Sequence, residues 1–320
     1  MEPVRVGVIG VGTWGEKHAR VYSTLTGCTL VGVFDRRSGL ATEVAGRYHT
    51  RAFPSAQSLL AEVEAVSVAV PTVAHREAAE EALLAGAHVL VEKPMADTVA
   101  AADMMLKAAE RARRTLQVGQ VERFNPIWLA ARGRLSHPKF IEGHRLAPFQ
   151  PRSLDIDVVG DLMIHDLDLV LQAVGQPPES ISAGGIAVLS NNEDIANARL
   201  EFADGCVANL TASRVSQERV RKLRFFQMTG YLSLDLFAKS GEHVAVDIAR
   251  FRPDAPFAAL SRTVFQPEAG EPLTLQLQAF TASLRGGGTG AASGWEGREA
   301  LRVAEEVRAA LRERARQWVR

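Results

Sequence analysis

The stretch VGVIGVGTWGEKHA places Gly10-x-Gly12-x-x-Gly15 directly after an apolar, β-branched run and at the start of a helical pattern. Glycines at this spacing allow a tight turn, close approach of the backbone to a pyrophosphate and close packing of helix on strand, with the helix N-terminus facing the anion. Alone, the motif is weak. Here Asp35 stands 20 residues beyond Gly15, at the end of the next apolar run, where a carboxylate can accept both hydroxyls of an adenosine ribose. The pattern predicts a dinucleotide site on Gly10, Gly12, Thr13, Trp14, Gly15 and Asp35. The charge of Asp35 favours NAD, because a 2′-phosphate would meet it; Arg36 and Arg37 directly after it keep NADP as the alternative, since an arginine there can stack on adenine or hold that phosphate.

From residue 4 to about 120, short strand-like runs alternate with amphipathic helices: VRVGVI, TLVGVFD, AVSVAV, HVLVE and TLQVG are separated by stretches such as AHREAAEEALLAG, closing on Gly86, and ADTVAAADMMLKAAERARR, opening at Asp97 as a cap. This is the βαβ rhythm of a parallel, doubly wound sheet. Beyond about residue 122 the rhythm changes. A helix follows Asn125-Pro126, a strand covers about 139–147, a helix runs over about 160–175, and several strand-like runs follow, with Asp204-Gly205 as a hairpin turn. Two helices close the chain, at about 272–285 and 296–318, the second opened by the capping box Ser293-x-x-Glu296. The fold expected is α/β: a Rossmann domain over 1–122 and an α+β domain with an open, largely antiparallel sheet over 123–320, whose last helix can pack back on the first domain.

Composition narrows the partners. With 37 basic and 37 acidic residues in 320, no global field attracts nucleic acid or anionic lipid, and the basic runs RARRT, ERVRKLR and RERARQWVR read as solvated faces. Cys28 and Cys206 have neither metal-ligand nor disulfide-framework spacing, which suits a reducing compartment. The opening MEPVRVGVIG shows no basic leader or apolar h-region, and charge, Gly or Pro breaks every apolar run well short of a membrane span. A cytoplasmic protein without membrane or nucleic-acid partners is expected.

Ligands of open α/β sheets bind outside the carboxyl ends of the strands. Those ends supply Pro71, Thr72 and His75, then Glu92 and Lys93, then Gln120. The proline after Lys93 holds that lysine extended at a strand tip, and a plain surface lysine at a turn is the other reading. Farther on, GDLMIHDLDLVL sets Asp161, His165 and Asp168 within one sector of a uniform helix whose remainder is almost wholly apolar, with Asp166 lying apart. Buried carboxylates without partners are costly, so the stripe means a ligand, a metal or an internal ion pair.

Together HVLVEKPMADT, the preceding AVPTVAHREAAEEALLAGA, the Gly10–Gly15 loop, Asp161-x-x-x-His165 and SGWEGREALRVAEEV resemble the Gfo/Idh/MocA family of nicotinamide-dependent sugar and cyclitol oxidoreductases over essentially the whole chain. The resemblance implies that Lys93 contacts a substrate hydroxyl and the nicotinamide ribose, and that Asp161 and His165 line the active site, with no metal. Oxidation of a secondary alcohol then follows. His165, with a reference pKa near 6.5, takes the hydroxyl proton, Lys93 stabilises the developing alkoxide, and Asp161 orients His165 or holds a neighbouring hydroxyl. Which of Lys93 and His165 is the formal base stays open. The glycines common in the family around the Asp and His positions are replaced here by DIDVVGD and Met163, which implies a differently shaped substrate wall; Asp166 and Asp168 are assigned to ion pairing or packing.

VGQVERFNP and EGHRLAPFQPRSLDIDVVGDLMIHD further resemble the branch of that family acting at C3 of UDP-N-acetylglucosamine, forming a 3-keto nucleotide sugar. Arg123, Arg145 and Arg152 supply cations suited to its diphosphate, each with a structural salt bridge as the competing role, and Asn125 either caps a helix or touches a sugar hydroxyl. Oxidation of a free sugar, inositol or diol is the alternative chemistry, and an inactive NAD(P)-sensing regulator the alternative class. The family resemblance also implies a homodimer or homotetramer.

Overall fold

The computed structural model describes residues 2–150, 156–287 and 290–317. Two compact units emerge, Met1–Phe124 with Gly270–Leu301, and Asn125–Ala269 with Arg302–Arg320. The first alternates β1 (Val4–Ile9), α1 (Thr13–Tyr22), β2 (Cys28–Phe34), α2 (Ser38–Arg47), β3 (Arg51–Ala52), α3 (Ala56–Leu60), β4 (Ala65–Val68), α4 (His75–Leu84), β5 (His88–Glu92), α5 (Val99–Ala112) and β6 (Leu116–Gly119). The second opens with α6 (Pro126–Ala131) and β7 (Phe140–Leu146). It continues through α7 (Ile164–Val174) into the strands β8 (Pro178–Ile186), β9 (Ile195–Phe202), β10 (Val207–Ser213), β11 (Val220–Gln227), β12 (Gly230–Asp235), β13 (Ser240–Val246) and β14 (Leu260–Val264). Helix α8 (Pro272–Ser283), the two-residue β15 (Ala292–Ser293) and α9 (Gly294–Ala315) end the chain.

The first unit is a doubly wound sheet in the order β15-β6-β5-β4-β1-β2-β3. Its neighbours are parallel except β15, which runs antiparallel to β6. Because β1 lies between β2 and β4, the loops leaving β1 and β4 sit at the topological switch point, where such sheets bind ligands. Strand residues alternate between two cores. Val89 and Val91 pack with Ala79, Ala82 and Leu83 of α4, whereas Leu90 packs with Ala19 and Tyr22 of α1 and with Leu277 and Phe280 of α8. Those α8 contacts and the β15–β6 pairing explain why residues 270–301 group with the first unit, whereas the sequence reading has them in the second domain. Helix α5 also starts one residue later than expected: Thr98, not Asp97, caps it, its hydroxyl accepting from the Ala101 N–H at 3.2 Å. The Ser293–Glu296 box at α9 has the expected geometry.

The second unit is an eight-stranded sheet in the order β14-β13-β12-β11-β7-β10-β9-β8. Among the described residues of this sheet only β7–β10 pairs in parallel. Gly205, at φ 80, makes the β9–β10 turn. One sheet face buries Leu200, Leu210 and Phe225 with Trp128 of α6, Leu167 and Val170 of α7, and Val303 and Val307 of α9. No helix among the described residues is long and apolar enough to cross a membrane.

A buried charge organises the β8–β9 loop. The Asp194 carboxylate, fully buried, accepts from the backbone N–H groups of Val188, Leu189 and Ser190 and from Arg214 Nε at 2.8 Å. Burial alone would raise its pKa, but the Ser190, Arg214 and backbone hydrogen bonds outweigh that and hold it far below the usual carboxylate range. The stability it contributes is therefore present above the unfolded-state value of about 3.9 and drains away as pH falls from there toward the lower folded value. Asp194→Asn is expected to cost about 3–5 kcal/mol at pH 7 by stranding Arg214. Its stability should also fall less steeply than wild type below about pH 4. Urea unfolding across a pH series checks both, and parallel acid limbs would contradict the assignment.

Candidate active site

The loop leaving β1 shows why glycine is required. Gly10 has φ 82, and a Cβ there would lie 2.7 Å from Val70 Cγ1 and 2.9 Å from the Ala69 carbonyl oxygen. A Cβ on Gly15 would fall 1.7 Å from the Gly10 carbonyl oxygen, so α1 rests directly on the loop. At Gly12, the residue preceding α1, a Cβ would meet nothing nearer than Arg37 Nη2 at 3.9 Å. Backbone N–H groups at a helix start thus stand open for a phosphate, and the loop fits a dinucleotide. Thr13 and Trp14 begin α1, with the Lys17 ammonium 4.2 Å from the centre of the Trp14 ring.

Asp35 follows β2. Its Oδ2 accepts from the Val11 N–H at 2.9 Å, and its Oδ1 from the Arg37 N–H at 2.9 Å and Arg37 Nε at 3.2 Å. Burial pushes its pKa up, but these bonds and the Arg37 charge outweigh burial and lower it. An ionised carboxylate offers about four acceptor positions, so these three bonds leave capacity for a ribose hydroxyl. Arg36 is exposed and reaches toward Glu77, 3.8 Å away.

Beyond β4, Pro71 and Thr72 open a short 3₁₀ turn leading to His75, the first residue of α4. His75 and Glu92, expected at the cofactor, also have partners inside the first unit. The buried His75 ring has Nδ1 2.9 Å from the Pro94 carbonyl oxygen and Nε2 2.9 Å from that of Val70. Burial holds its pKa below the ordinary value, against those two contacts, which raise it. Glu92 Oε1 lies 3.0 Å from Nε2 of His18, a buried α1 residue that the sequence reading passes over, although its spacing from Gly15 places it on the inner face of α1. Lys93 follows β5, half-buried, and the Lys93–Pro94 peptide is cis. Gln120, directly after β6, is fully buried.

In the second unit, Asp161 lies in a π-turn over Val159–Met163 and His165 in the first turn of α7. The wider turn interrupts the uniform helix assumed for the charged stripe, and π-turns recur at functional sites. Both side chains are half-buried, whereas Asp166 and Asp168 are wholly buried. Asp157 anchors the turn: its Oδ1 accepts from the Gly160 N–H at 2.8 Å and its Oδ2 from Arg308 Nε at 2.6 Å. A Cβ at Gly160 would lie 2.3 Å from Arg308 Nη2, so any side chain there would displace the guanidinium from its present path. Among the described residues no group of three or more His, Cys, Asp or Glu side chains is placed to hold a metal.

The residues expected to hold a nucleotide sugar have other partners. Arg145 makes a bidentate, buried pair with Asp166, Nη2 to Oδ1 at 2.7 Å and Nε to Oδ2 at 3.0 Å. This supplies the ion pair anticipated for Asp166. Buried Arg123 donates to Glu296 Oε1 at 2.6 Å. Asn125 caps α6, accepting from the Ile127 N–H at 3.2 Å and donating to the Leu236 carbonyl at 2.9 Å. A fully buried guanidinium needs a carboxylate, which is why these arginines turn inward. Arg152 lies outside the described residues. Arg145→Met is expected to lower stability by about 3–5 kcal/mol, and the double variant with Asp166→Leu to recover most of it. Urea midpoints measure this, and an unrecovered double variant would refute the pair as a structural unit.

Residues 4–120 match the oxidoreductase family with an NAD-binding Rossmann fold, and residues 128–233 match the Gfo/Idh/MocA C-terminal domain. The chain is 44% identical over 233 residues to UDP-N-acetylglucosamine 3-dehydrogenase of Acidithiobacillus ferrooxidans, covering 72% of this chain and 74% of the relative. A solved structure of an enzyme of that name from the same organism superposes with a TM-score of 0.89 at 37% identity, over 97% of this chain and 98% of the other. An inositol 2-dehydrogenase of Acidothermus cellulolyticus is 36% identical over 179 residues, 52% of each chain. The glycine cradle, Asp35, the Glu92-Lys93-Pro94 strand end and Asp161-x-x-x-His165 thus occur in a chain that belongs to the Gfo/Idh/MocA oxidoreductase family.

Proposed function

We propose that this protein is an NAD-dependent dehydrogenase that oxidises the C3 hydroxyl of UDP-N-acetylglucosamine to the 3-keto sugar. The observation that carries the substrate is the 44% identity over most of the chain to a dehydrogenase of that name. Nicotinamide supplies the hydride acceptor. Gly10, Gly12 and the start of α1 bind the pyrophosphate, and Asp35 accepts from the adenosine ribose. An imidazole nitrogen of His165 takes the proton from the substrate hydroxyl as the carbon-bound hydrogen leaves with its electron pair. The Lys93 ammonium stabilises the oxygen as negative charge develops, and Asp161 orients His165 or a neighbouring hydroxyl. The ionised Asp35 favours NAD over NADP, and Arg152 remains the cation proposed for the diphosphate.

Inositol 2-dehydrogenases among the relatives support a second reading, oxidation of a free cyclitol or sugar. The deciding assay follows NADH absorbance with UDP-N-acetylglucosamine, NAD, and a transaminase with glutamate to remove the ketone. Turnover is expected, slower with NADP, and reduced about 10²–10⁴-fold by His165→Asn. Turnover with myo-inositol but not with the nucleotide sugar would move the substrate to the second reading, and NAD binding without turnover of either would point to a sensing protein.

We further place the protein in the cytoplasm, a reading supported by the free thiols of Cys28 and Cys206, and describe it as a homo-oligomer. Support for the latter comes from β14, a sheet-edge strand exposed along its length, and from the exposed apolar residues Ile248, Phe251, Phe257 and Val264 on or near it. Light scattering is expected to give the mass of two or four chains; a single-chain mass at micromolar concentration would overturn this.

A further inference from the structure

The strand end that carries Lys93 is held from both faces of the first unit's sheet. Along β5 the side chains alternate, Val89 and Val91 toward α4 and α5, Leu90 toward α1, α2 and α8. Glu92 continues that alternation toward α1, where His18 Nε2 lies 3.0 Å from its Oε1. The imidazole is fully buried and the carboxylate nearly so, at 12% exposure. Gly119 on β6 completes the fit: a Cβ there would fall 2.6 Å from Glu92 Oε1. On the opposite face, His75 at the start of α4 places Nδ1 2.9 Å from the Pro94 carbonyl oxygen while Nε2 lies 2.9 Å from that of Val70. Residues 92 and 94, on either side of Lys93, are therefore each tied to a buried histidine on a different helix.

We infer that His18 and His75 are positioning residues that fix the backbone on either side of Lys93, and through it the placement of the Lys93 ammonium. The lysine side chain starts from its Cα, so a shift of the backbone there carries through to where its ammonium can reach. Displacing a reacting group by about 1 Å can cost about 10²-fold in rate. Neither imidazole touches substrate in this account. His18 acts through its contact with the Glu92 carboxylate; the neutral His75 ring carries one proton, here assigned to Nδ1, donating to the Pro94 carbonyl rather than through Nε2 to that of Val70.

The test uses the reach of two amides. In bond count from the backbone, a glutamine nitrogen reproduces imidazole Nε2 and an asparagine nitrogen reproduces Nδ1. His18 works through Nε2, so His18→Gln should keep the contact and His18→Asn lose it; His75 works on Pro94 through Nδ1, so His75→Asn should keep it and His75→Gln lose it. Expected is a crossed pattern. The two mismatched variants drop kcat about 10- to 100-fold, while the KM for NAD stays within about 3-fold and the matched variants stay within about 3-fold of wild type in kcat. All four replacements are polar and of similar size, so a general packing defect would not follow the crossing. Hydrogen exchange of the peptide spanning residues 91–96, measured on the protein without NAD, should be faster in the mismatched variants alone.

The kinetic arm rests on the role proposed for Lys93, whereas the exchange arm does not. If the wild-type protein turns over neither the nucleotide sugar nor a cyclitol, the functional reading fails and exchange alone decides the inference. Equal kcat in matched and mismatched variants, or exchange that ignores the crossing, overturns it.

Discussion

Helix α1 comes so close to the loop before it that a single methyl group on Gly15 would overlap the Gly10 carbonyl. Much of the first unit depends on that approach. It brings the N–H groups at the start of α1 to the carboxyl end of β1, beside the strand where the sheet's order reverses. It also brings His18, three residues past Gly15, within reach of Glu92 on β5. The glycines of this loop thus also set the helix whose His18 meets Glu92, the residue before Lys93. The proposed cofactor cradle and the His18–Glu92 contact share one close packing.

The second unit meets a different constraint, how to keep charge inside an apolar core. Of the four buried or half-buried aspartates on and just before α7, three have distinct environments. Asp157 is bound by Arg308 and caps the π-turn, Asp166 is neutralised by Arg145, and Asp161 stays half-buried with His165. Replacing paired charges with apolar groups is often neutral or stabilising, so such pairs are weak evidence for stability and better read as devices of position. The pair at Asp157 holds the start of the turn and the pair at Asp166 holds the segment just after His165.

Much of this was legible in the chain. The glycine spacing, the carboxylate 20 residues on, the alternation of strands and helices and the capping box at α9 are local patterns, because each depends on residues near one another in sequence. The lysine before Pro94 and the Asp161–His165 spacing, on which the proposed chemistry rests, are local patterns of the same kind. Strands of two residues, β3 and β15, carry too little pattern to be seen, and a five-residue π-turn leading into α7 is too short to stand out from the helical pattern that follows it.

Residue type and short spacing determined the family of folds and the form of the glycine loop, and they carry the proposed residues for hydride chemistry, since backbone conformation and local side-chain chemistry follow from neighbours along the chain. Only the tertiary structure decided which arginines, histidines and carboxylates face one another. Arg145 and Arg123 look in sequence like cations for a diphosphate, yet one lies against Asp166 and the other against Glu296, the latter 173 positions away. His75 and Glu92 are read in sequence as cofactor contacts, and packing sets them against Pro94 and His18. A buried charge or imidazole is governed by the partner that offsets its desolvation, and that partner comes from a distant part of the chain brought near by packing.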